Sequence, residues 1–257
     1  MTKFIVALKF FLFLLLCVAV IPTQSLVLLF HKGKFAYILP WLWQKGACAI
    51  FSIRVKIIGQ PYTKTQTLYI SNHISYLDIP AIGSILRGSF VAKKDVASWP
   101  VFGFLSTLQQ TAFISRDKTD AKREKNTLDA MLSQGKSLII FPEGTSTDGK
   151  EVLPFKSSLF SIVMKPELKD MFVQPITLSM ESVDNRAVKT QEDRDIYSWH
   201  INMDMPLEQH LKRFSKSKGA TICLTFHTPF RVSEFDNRKT LAKACQNTVS
   251  NGLKNIS

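Results

Sequence analysis

The sequence is poor in the patterns that build metal sites, disulfide frameworks and serine-hydrolase nucleophiles. It contains four cysteines among 257 residues, none of them in a C-x-x-C pair, and their spacing suits neither zinc nor a set of disulfides. No G-x-S-x-G segment, internal repeat or low-complexity stretch occurs. The cysteines are therefore expected to be reduced and mostly buried, which favours a reducing compartment for the globular part.

Acidic residues are also scarce, with 20 Asp and Glu against 33 Lys and Arg and a net charge of +13. Such a surface attracts nucleic acid, anionic lipid headgroups and phosphorylated ligands. No helix-turn-helix, zinc-finger or basic-aromatic pattern supports nucleic acid, and the apolar N-terminus favours lipid. The charge is equally compatible with a surface that only keeps the protein soluble near an anionic membrane.

Apolar residues are concentrated at the N-terminus. Residues 4–21 are apolar apart from Lys9, residues 22–25 interrupt the run, and residues 26–30 resume it. This is about the ~20 apolar residues that a bilayer-crossing helix needs. A cleaved signal peptide is the competing interpretation, although no clear small-x-small cleavage site is present and the apolar character resumes after the interruption.

A second amphiphilic block follows. Trp41 and Trp43 suit the headgroup level of a membrane, whereas the alternation over residues 53–57 is typical of a strand that enters a folded domain. We therefore expect one or two membrane-associated helices in residues 1–58 and an α/β domain in residues 59–257. Basic residues flank both ends of the apolar run, so the positive-inside rule leaves its orientation open.

The remaining chain alternates short apolar runs with stretches of helical composition. This alternation predicts an α/β domain with a mixed, largely parallel sheet flanked by helices, in which ligands bind near the strand ends. Residues 183–195 are polar and are expected to form a surface loop. The expected strands are residues 67–71, 89–92, 110–115, 137–141, 173–180 and 220–227, and the expected helices are residues 119–133 and 239–254.

The first chemical motif is the pair His73 and Asp78, which follows the expected strand 67–71. Residues five apart on a helix point about 140° away from each other. We therefore expect His73 in a loop and Asp78 in the first turn of a helix, with Ser75 or Asp78 as its cap. A carboxylate beside the imidazole fixes its tautomer, which suits a general base acting on a hydroxyl. The spacing alone is equally compatible with a helix cap beside a surface histidine.

A second motif follows the strongly apolar strand expected at residues 137–141. Gly144 permits a tight turn, and the amides and hydroxyls of Thr145 and Ser146 are candidates to hold a phosphate. Glu143 cannot bind phosphate directly and is expected to accept from a substrate hydroxyl or to orient a basic residue. A plain strand-to-loop turn is the alternative.

Two further segments carry candidates of lower specificity. Arg116 follows an apolar run and suits bidentate contact with a phosphate. The run at residues 173–176 contains Pro175, which by itself indicates only an edge or bulged strand. Three lysines are weaker additions to a positive pocket, because lysines are more often solvated: Lys93, Lys94 and Lys156.

Taken together and in this order, these segments resemble the glycerolipid acyltransferase family, in particular the 1-acylglycerol-3-phosphate (lysophosphatidic acid) acyltransferases. The resemblance covers roughly residues 68–176, and four ordered blocks carry it where each block alone is weak. The blocks are Asn72 and His73 with Asp78, residues 113–116, residues 141–145 followed by 154–156, and residues 173–176.

The resemblance implies an enzyme that transfers a fatty acyl chain from acyl-CoA or acyl-acyl carrier protein to a lysolipid hydroxyl. The most direct acceptor is 1-acylglycerol-3-phosphate, which gives phosphatidic acid in phospholipid synthesis. His73 is implied as the base and Asp78 as its orienting partner. The other implied roles are substrate binding by Arg116, Glu143, Gly144, Thr145 and Lys156, and an acyl-donor region at Val173, Pro175 and Ile176.

The resemblance further implies no metal and no tightly bound cofactor, and the lack of binding motifs leaves no nucleic-acid partner expected. The lipid bilayer is the implied partner, and the expected location is a bacterial inner membrane with the catalytic domain on the cytoplasmic side.

Two positions depart from the family pattern. Ser115 stands where many members have Asp, and Ser146 stands where many have Arg, so one obvious phosphate ligand is missing. Residues 197–200 and 204–205 resemble a segment of bacterial relatives that include lyso-ornithine lipid acyltransferases, which makes a non-phosphate acceptor an alternative. The competing functions are a hydrolase in which His73 activates water and a non-catalytic, membrane-tethered lipid-binding protein.

Overall fold

The computed structural model describes residues 2–31, 33–99, 101–115 and 121–255. Two helices, α1 (Thr2–Phe30) and α2 (Ile38–Ile50), come first and are joined through a 3-10 turn at Lys34–Tyr37. They pack on each other and on one face of the domain that follows. The chain therefore begins with a helical pair that is part of the folded body.

Helix α1 continues through the interruption at residues 22–25. Pro22 removes one backbone donor, yet the hydroxyl of Thr23 donates to the Ala19 carbonyl at 2.9 Å and that of Ser25 to the Ile21 carbonyl at 2.8 Å. Such contacts satisfy carbonyls next to a helix proline. Among the described residues, α1 is the one helix that is both long enough and apolar enough to cross a membrane. Buried core helices and signal sequences share this property.

Two polar side chains of α1 anchor it to the rest of the fold. The Lys9 ammonium donates to the carbonyls of Ser215 and Ser217, both at 3.1 Å. The Gln24 amide donates to the carbonyls of Ala36 and Leu108 at 2.8 and 3.1 Å. Helix α1 is thus held at two points about four turns apart.

The tryptophans of α2 face in different directions. Trp43 packs edge-on against Phe13 of α1 and donates to the Cys17 sulfur at 3.4 Å, so this half-buried side chain joins the two helices. Trp41 instead lies beside the cations of Lys45 and Arg87, 4.0 and 4.5 Å from its ring centre.

The strands form a mixed sheet in the order β1-β8-β6-β2-β5-β3-β4, with β7 and β9 paired to β6. All pairs along this order are parallel except β6 with β8. The predicted mixed, largely parallel sheet flanked by helices is confirmed. The bounds are β1 Ile53–Gly59, β2 Thr67–Ser71, β3 Ser89–Lys93, β4 Ala112–Ile114, β5 Leu138–Ile140, β6 Phe172–Val183, β7 Arg186–Ala187, β8 Ala220–Phe226 and β9 Phe230–Arg231.

Strand β6 occupies the middle of this sheet, so the edge position suggested by its proline is wrong. Pro175 pairs with Ile70 of β2, and on its other side it lies between the end of β8 and the start of β9. Its carbonyl accepts from His227 at 3.0 Å on that side. The missing N–H therefore falls in a gap between two partner strands, where no ladder bond is lost.

The remaining helices cover both faces of the sheet. They are α3 Asp78–Gly83, α4 Phe102–Leu108, α5 Ala121–Ser133, α6 Gln191–Tyr197, α7 Leu207–Lys216 and α8 Arg238–Lys254, with short 3-10 turns at Lys94–Ser98, Ser157–Ile162, Pro166–Leu168 and Val232–Glu234. The loop expected at residues 183–195 is wrong in part, because β7 and most of α6 lie there. A reciprocal pair of bonds between Thr190 and Asp193 caps the start of α6 and stabilises a helix whose exposed residues are polar.

The core has two layers because the central strands are buried on both faces. Tyr69 of β2 packs in the layer towards α2 and α3, whereas Leu68 and Ile70 pack in the layer towards α5 and α8. Double burial explains why these strands are continuously apolar in sequence. Strand β1 joins the same sheet from Ile53 onward.

Candidate active site

The carboxyl ends of β2 and β5 lie side by side at one edge of the sheet. These strands are parallel neighbours, with Ile70 opposite Ile140. The loop that follows β2 carries His73, and the loop that follows β5 carries Glu143. Two sequence motifs separated by about seventy residues are thereby brought into contact, as expected for parallel strands.

His73 and Asp78 form a direct side-chain pair. Nδ1 of His73 lies 2.8 Å from Oδ2 of Asp78. Asp78 is the first residue of α3, so the predicted loop-and-first-turn arrangement is confirmed. The predicted cap at Ser75 or Asp78 is wrong, because Leu77 occupies the cap position and no side chain caps the helix. Oδ2 also accepts from the N–H groups of Ile74 and Ser75 at 2.7 and 2.9 Å. The carboxylate thus curls the loop back onto itself and fixes the imidazole.

The Asp78 carboxylate is fully buried, at 0% exposure of its side chain. Its second oxygen, Oδ1, accepts from the hydroxyl of Tyr197 at 3.1 Å. Burial raises the pKa of Tyr197 well above its usual value, so this hydroxyl stays a donor. Every oxygen of the carboxylate therefore has a donor, the condition under which a buried charge is tolerated.

The imidazole of His73 is held on a second side by an aromatic ring. It stacks on Phe141 with ring centres 4.2 Å apart and an interplanar angle of 17°. The side chain is 21% exposed. Because Nδ1 donates to Asp78, Nε2 is the nitrogen left to accept a proton, which is the tautomer that a general base needs.

Glu143 supports the same loop from the β5 side. Its oxygens accept from the N–H groups of His73 and Leu153, both at 2.7 Å, and the residue is only 3% exposed. Burial raises the pKa of Glu143 to about 7, against the two backbone donors that lower it. Both oxygens are thus engaged by the chain itself.

Gly144 makes the tight turn that its position predicted. Its φ is +68°, in the region that favours glycine. A side chain there would overlap the ammonium end of Lys156. The backbone N–H of Lys156 donates to the Pro142 carbonyl at 3.0 Å. The exposed Lys156 therefore places a positive charge directly over the turn, next to the half-buried Thr145.

The segment after Gly144 is tied to the segment after α6. The Ser146 hydroxyl donates to the Trp199 carbonyl at 2.7 Å. The Trp199 N–H donates to the Ile74 carbonyl at 3.1 Å, and the Thr147 N–H donates to the His73 carbonyl at 2.9 Å. The Ser146 hydroxyl, a candidate phosphate ligand from sequence, is used in this internal contact.

Other candidates lie apart from this cluster. Val173, Pro175 and Ile176 are buried inside β6 and present no side chain at the surface of the site. Arg116 lies outside the described residues. The structure therefore brings together His73, Asp78, Glu143, Gly144, Thr145 and Lys156.

Comparison with known proteins gives this geometry its context. The acyltransferase family model matches residues 52–179. A lyso-ornithine lipid O-acyltransferase of Rhodobacter capsulatus is 38% identical over 207 residues, covering 80% of this chain and 72% of the relative. The chain belongs to the acyltransferase family.

Two further similarities concern one curated relative and one solved structure of this acyltransferase's fold. A 1-acyl-sn-glycerol-3-phosphate acyltransferase of Neisseria gonorrhoeae is 27% identical over 208 residues, covering 80% of this chain and 76% of the relative. The crystal structure of the 1-acyl-sn-glycerophosphate acyltransferase of Thermotoga maritima shares the fold, with a TM-score of 0.67 at 19% identity, covering 100% of this chain and 98% of that one.

Two residues of the acyltransferase site were not assigned a role from sequence. The Asn72 side chain accepts from the Leu178 N–H at 2.8 Å and donates to the Leu178 carbonyl at 2.9 Å, which locks the loop to β6. Its position directly before His73 in the sequence could have indicated a role in holding this loop. Tyr197 belongs to the segment 197–200 that resembles bacterial relatives, but no local pattern connected it to Asp78, which is 119 residues away.

An apolar cavity of about 180 Å³ extends from the loop between β2 and α3 (residues 72–77, the catalytic loop) to the N-terminal helices of the acyltransferase. Tyr76 and Leu77 line it on the loop side, and most of its other walls come from α1, α2, α3 and α4. The Tyr76 hydroxyl is fixed by Nδ1 of the buried His210 at 3.0 Å. Lining residues from the helices include Phe13, Ile21, Trp43 and Phe102.

Proposed function

We propose that this chain transfers a fatty acyl group from an acyl thioester to the hydroxyl of a lysolipid, with His73 as general base. The observation that carries the proposal is the 2.8 Å contact between His73 Nδ1 and the buried Asp78 carboxylate. It leaves Nε2 to take the acceptor's proton, and general-base help of this kind contributes roughly a hundred- to ten-thousand-fold.

The chemistry balances without a further reactant. The acceptor O–H proton passes to Nε2 of His73 while the oxygen attacks the thioester carbonyl carbon. The carbon–sulfur bond then breaks, the imidazolium returns the proton to the leaving sulfur, and an ester and a free thiol result. Acyl-CoA and acyl-acyl carrier protein both supply such a thioester.

The positions of the binding residues suit separate polar and apolar subsites. Lys156, Gly144 and Thr145 line the polar side next to His73, and Arg116 is proposed to join them. The apolar cavity at Tyr76 and Leu77 fits an acyl chain. Val173, Pro175 and Ile176 contribute to a donor site only by shaping β6, since all three are buried. Glu143 acts by holding the backbone of the loop that carries His73.

Two acceptors are candidates. The family resemblance points to 1-acylglycerol-3-phosphate, but Ser146 occupies the position of a family arginine and its hydroxyl is bound to Trp199. The relative named for lyso-ornithine lipid is also the more similar one, at 38% against 27% identity. These observations favour lyso-ornithine lipid, whose amino-acid headgroup does not require the missing phosphate ligand.

The proposed location is the cytoplasmic face of a bacterial inner membrane. Helices α1 and α2 expose large apolar side chains, among them Phe11, Leu14, Val18 and Leu42, and such a surface suits contact with lipid. The four cysteines are free and buried, which suits a reducing compartment.

The test is a panel of lysolipids assayed with labelled acyl-CoA and acyl-acyl carrier protein in parallel, using membranes that contain the chain. We expect label in ornithine lipid more than in phosphatidic acid. Label chiefly in phosphatidic acid would reverse the choice of acceptor, and free fatty acid as the sole product would contradict acyl transfer and favour hydrolysis.

A further inference from the structure

Tyr197 contacts the side of the Asp78 carboxylate that His73 does not use. Its hydroxyl donates to Oδ1 at 3.1 Å, whereas His73 and two backbone amides are bound to Oδ2. Tyr197 is the last residue of α6 and is completely buried. A helix remote in sequence thus completes the coordination of the one carboxylate that orients the proposed base.

We propose that Tyr197 is a positioning residue for the His73–Asp78 pair, an inference that rests on the proposed function. A donor on Oδ1 opposes rotation of the carboxylate, so that Oδ2 stays directed at Nδ1 of His73. It also draws negative charge away from Oδ2, because hydrogen bonds to a carboxylate stabilise its charge. Asp78 therefore holds the protonated imidazole less tightly than a carboxylate with a bare oxygen would.

The titratable groups around the pair come from several elements. Glu143 approaches from the loop after β5 through its bond to the His73 N–H. Tyr76, on the catalytic loop, and Cys48, on α2, both act on Tyr197 electrostatically. The Tyr76 hydroxyl is bound to His210. Among these neighbours, Tyr197 is the one that donates directly to Asp78, so its hydroxyl is a specific target for substitution.

The experiment is Tyr197→Phe in the full chain, with kcat, both KM values and the pH–rate profile measured in membranes. Loss of the hydroxyl frees Oδ1, so the imidazolium is held more strongly and the base is protonated at a higher pH. We expect kcat to fall about tenfold with little change in either KM. The acid limb of the profile should move to higher pH by about half a unit.

The matched control is Tyr69→Phe. Tyr69 is also buried, and its hydroxyl donates to the backbone carbonyl of Tyr62 at 2.7 Å. We expect this variant to lose a similar amount of thermal stability while its kcat and pH profile stay at wild-type values. A purely structural tyrosine would behave in the same way.

Tyr197→Phe with an unshifted acid limb overturns the inference, whether kcat is retained or lost. Failure of the proposed function has a different signature, because His73→Ala would then retain acyl transfer. If His73→Ala is inactive and the acid limb of Tyr197→Phe is unshifted, the result excludes only the proposed role of Tyr197.

Discussion

The buried carboxylates of Asp78 and Glu143 hold the catalytic loop through its backbone amides. Asp78 binds the N–H groups of Ile74 and Ser75, and Glu143 binds that of His73. Charge-assisted bonds of this kind are among the stronger ones in proteins. The loop is thus fixed by buried groups, and the imidazole stays partly exposed, as its proposed role in acyl transfer requires.

Glu143 should make the stability of the fold depend on pH. Its pKa in the folded chain is about 7, above the ordinary 4.5, so the folded state holds this proton more tightly than the unfolded state. The protonated Glu143 carboxyl therefore contributes stability that is fully present below pH 4.5, its ordinary pKa, and that is lost as the pH rises through about 7. We expect the wild-type melting temperature to fall more steeply than that of Glu143→Gln between about pH 5 and about pH 8.

Glu143→Gln has a lower melting temperature overall, because its amide nitrogen faces a backbone N–H. The control is Glu167→Gln at an exposed position, which should keep the wild-type pH slope. Parallel wild-type and Glu143→Gln curves would show that the carboxyl does not titrate in this range.

How far the site was predictable from sequence depends on the distance between partners. The His73–Asp78 pair was predictable because five residues separate the two and a strand precedes them. The internal use of Glu143 was not, because His73 is brought to it by the pairing of β2 with β5 and Leu153 returns to it through the irregular loop after β5. Tyr197 could not be connected to Asp78 by any local pattern.

At the level of elements, most strands were predictable because the central ones are buried on both faces and therefore read as apolar runs. Helix α6 was missed because its segment is polar and its start depends on the capping pair of Thr190 and Asp193. Pro175 suggested an edge or bulged strand, whereas the gap between the end of β8 and the start of β9 lets it lie in the centre of the sheet.

The docking of α1 on α7 should be measurable through Lys9. Its ammonium caps the carboxyl end of α7 through two carbonyls, where a cation also interacts favourably with the helix dipole. We expect Lys9→Met to destabilise the fold by about 1–2 kcal/mol, which lowers the melting temperature by about 3–6 °C for a chain of this size.

The control for this contact is Lys3→Met, at an exposed position of the same helix. It should leave the melting temperature close to the wild-type value. Equal melting temperatures for the two variants would mean that the Lys9 contacts do not hold α1 in place.

At the scale of the whole molecule, the apolar face of α1 and α2 should control membrane binding. Val18 is 62% exposed on α1, and a charge at a lipid-facing helix position is strongly unfavourable. We expect Val18→Glu to lower vesicle binding of the purified chain about tenfold in a flotation assay.

Ile58→Glu is the matched control, since Ile58 is also apolar and exposed, at 44%, but lies on β1 of the sheet. Binding by this variant should stay near wild type. A comparable loss for both variants would point to general misfolding, and no loss for Val18→Glu would exclude this part of α1 from the lipid contact.

The apolar cavity lies between the N-terminal helices and the loop that carries His73, with Phe13 of α1 and Tyr76 of the loop among its lining residues. The most direct measurement of the central claim is the rate of labelled acyl transfer from thioester to lysolipid by wild type and by His73→Ala at equal amounts in membranes. We expect the variant to retain less than about one-hundredth of the wild-type rate. Transfer by His73→Ala at the wild-type rate would contradict the assignment of His73 as the base.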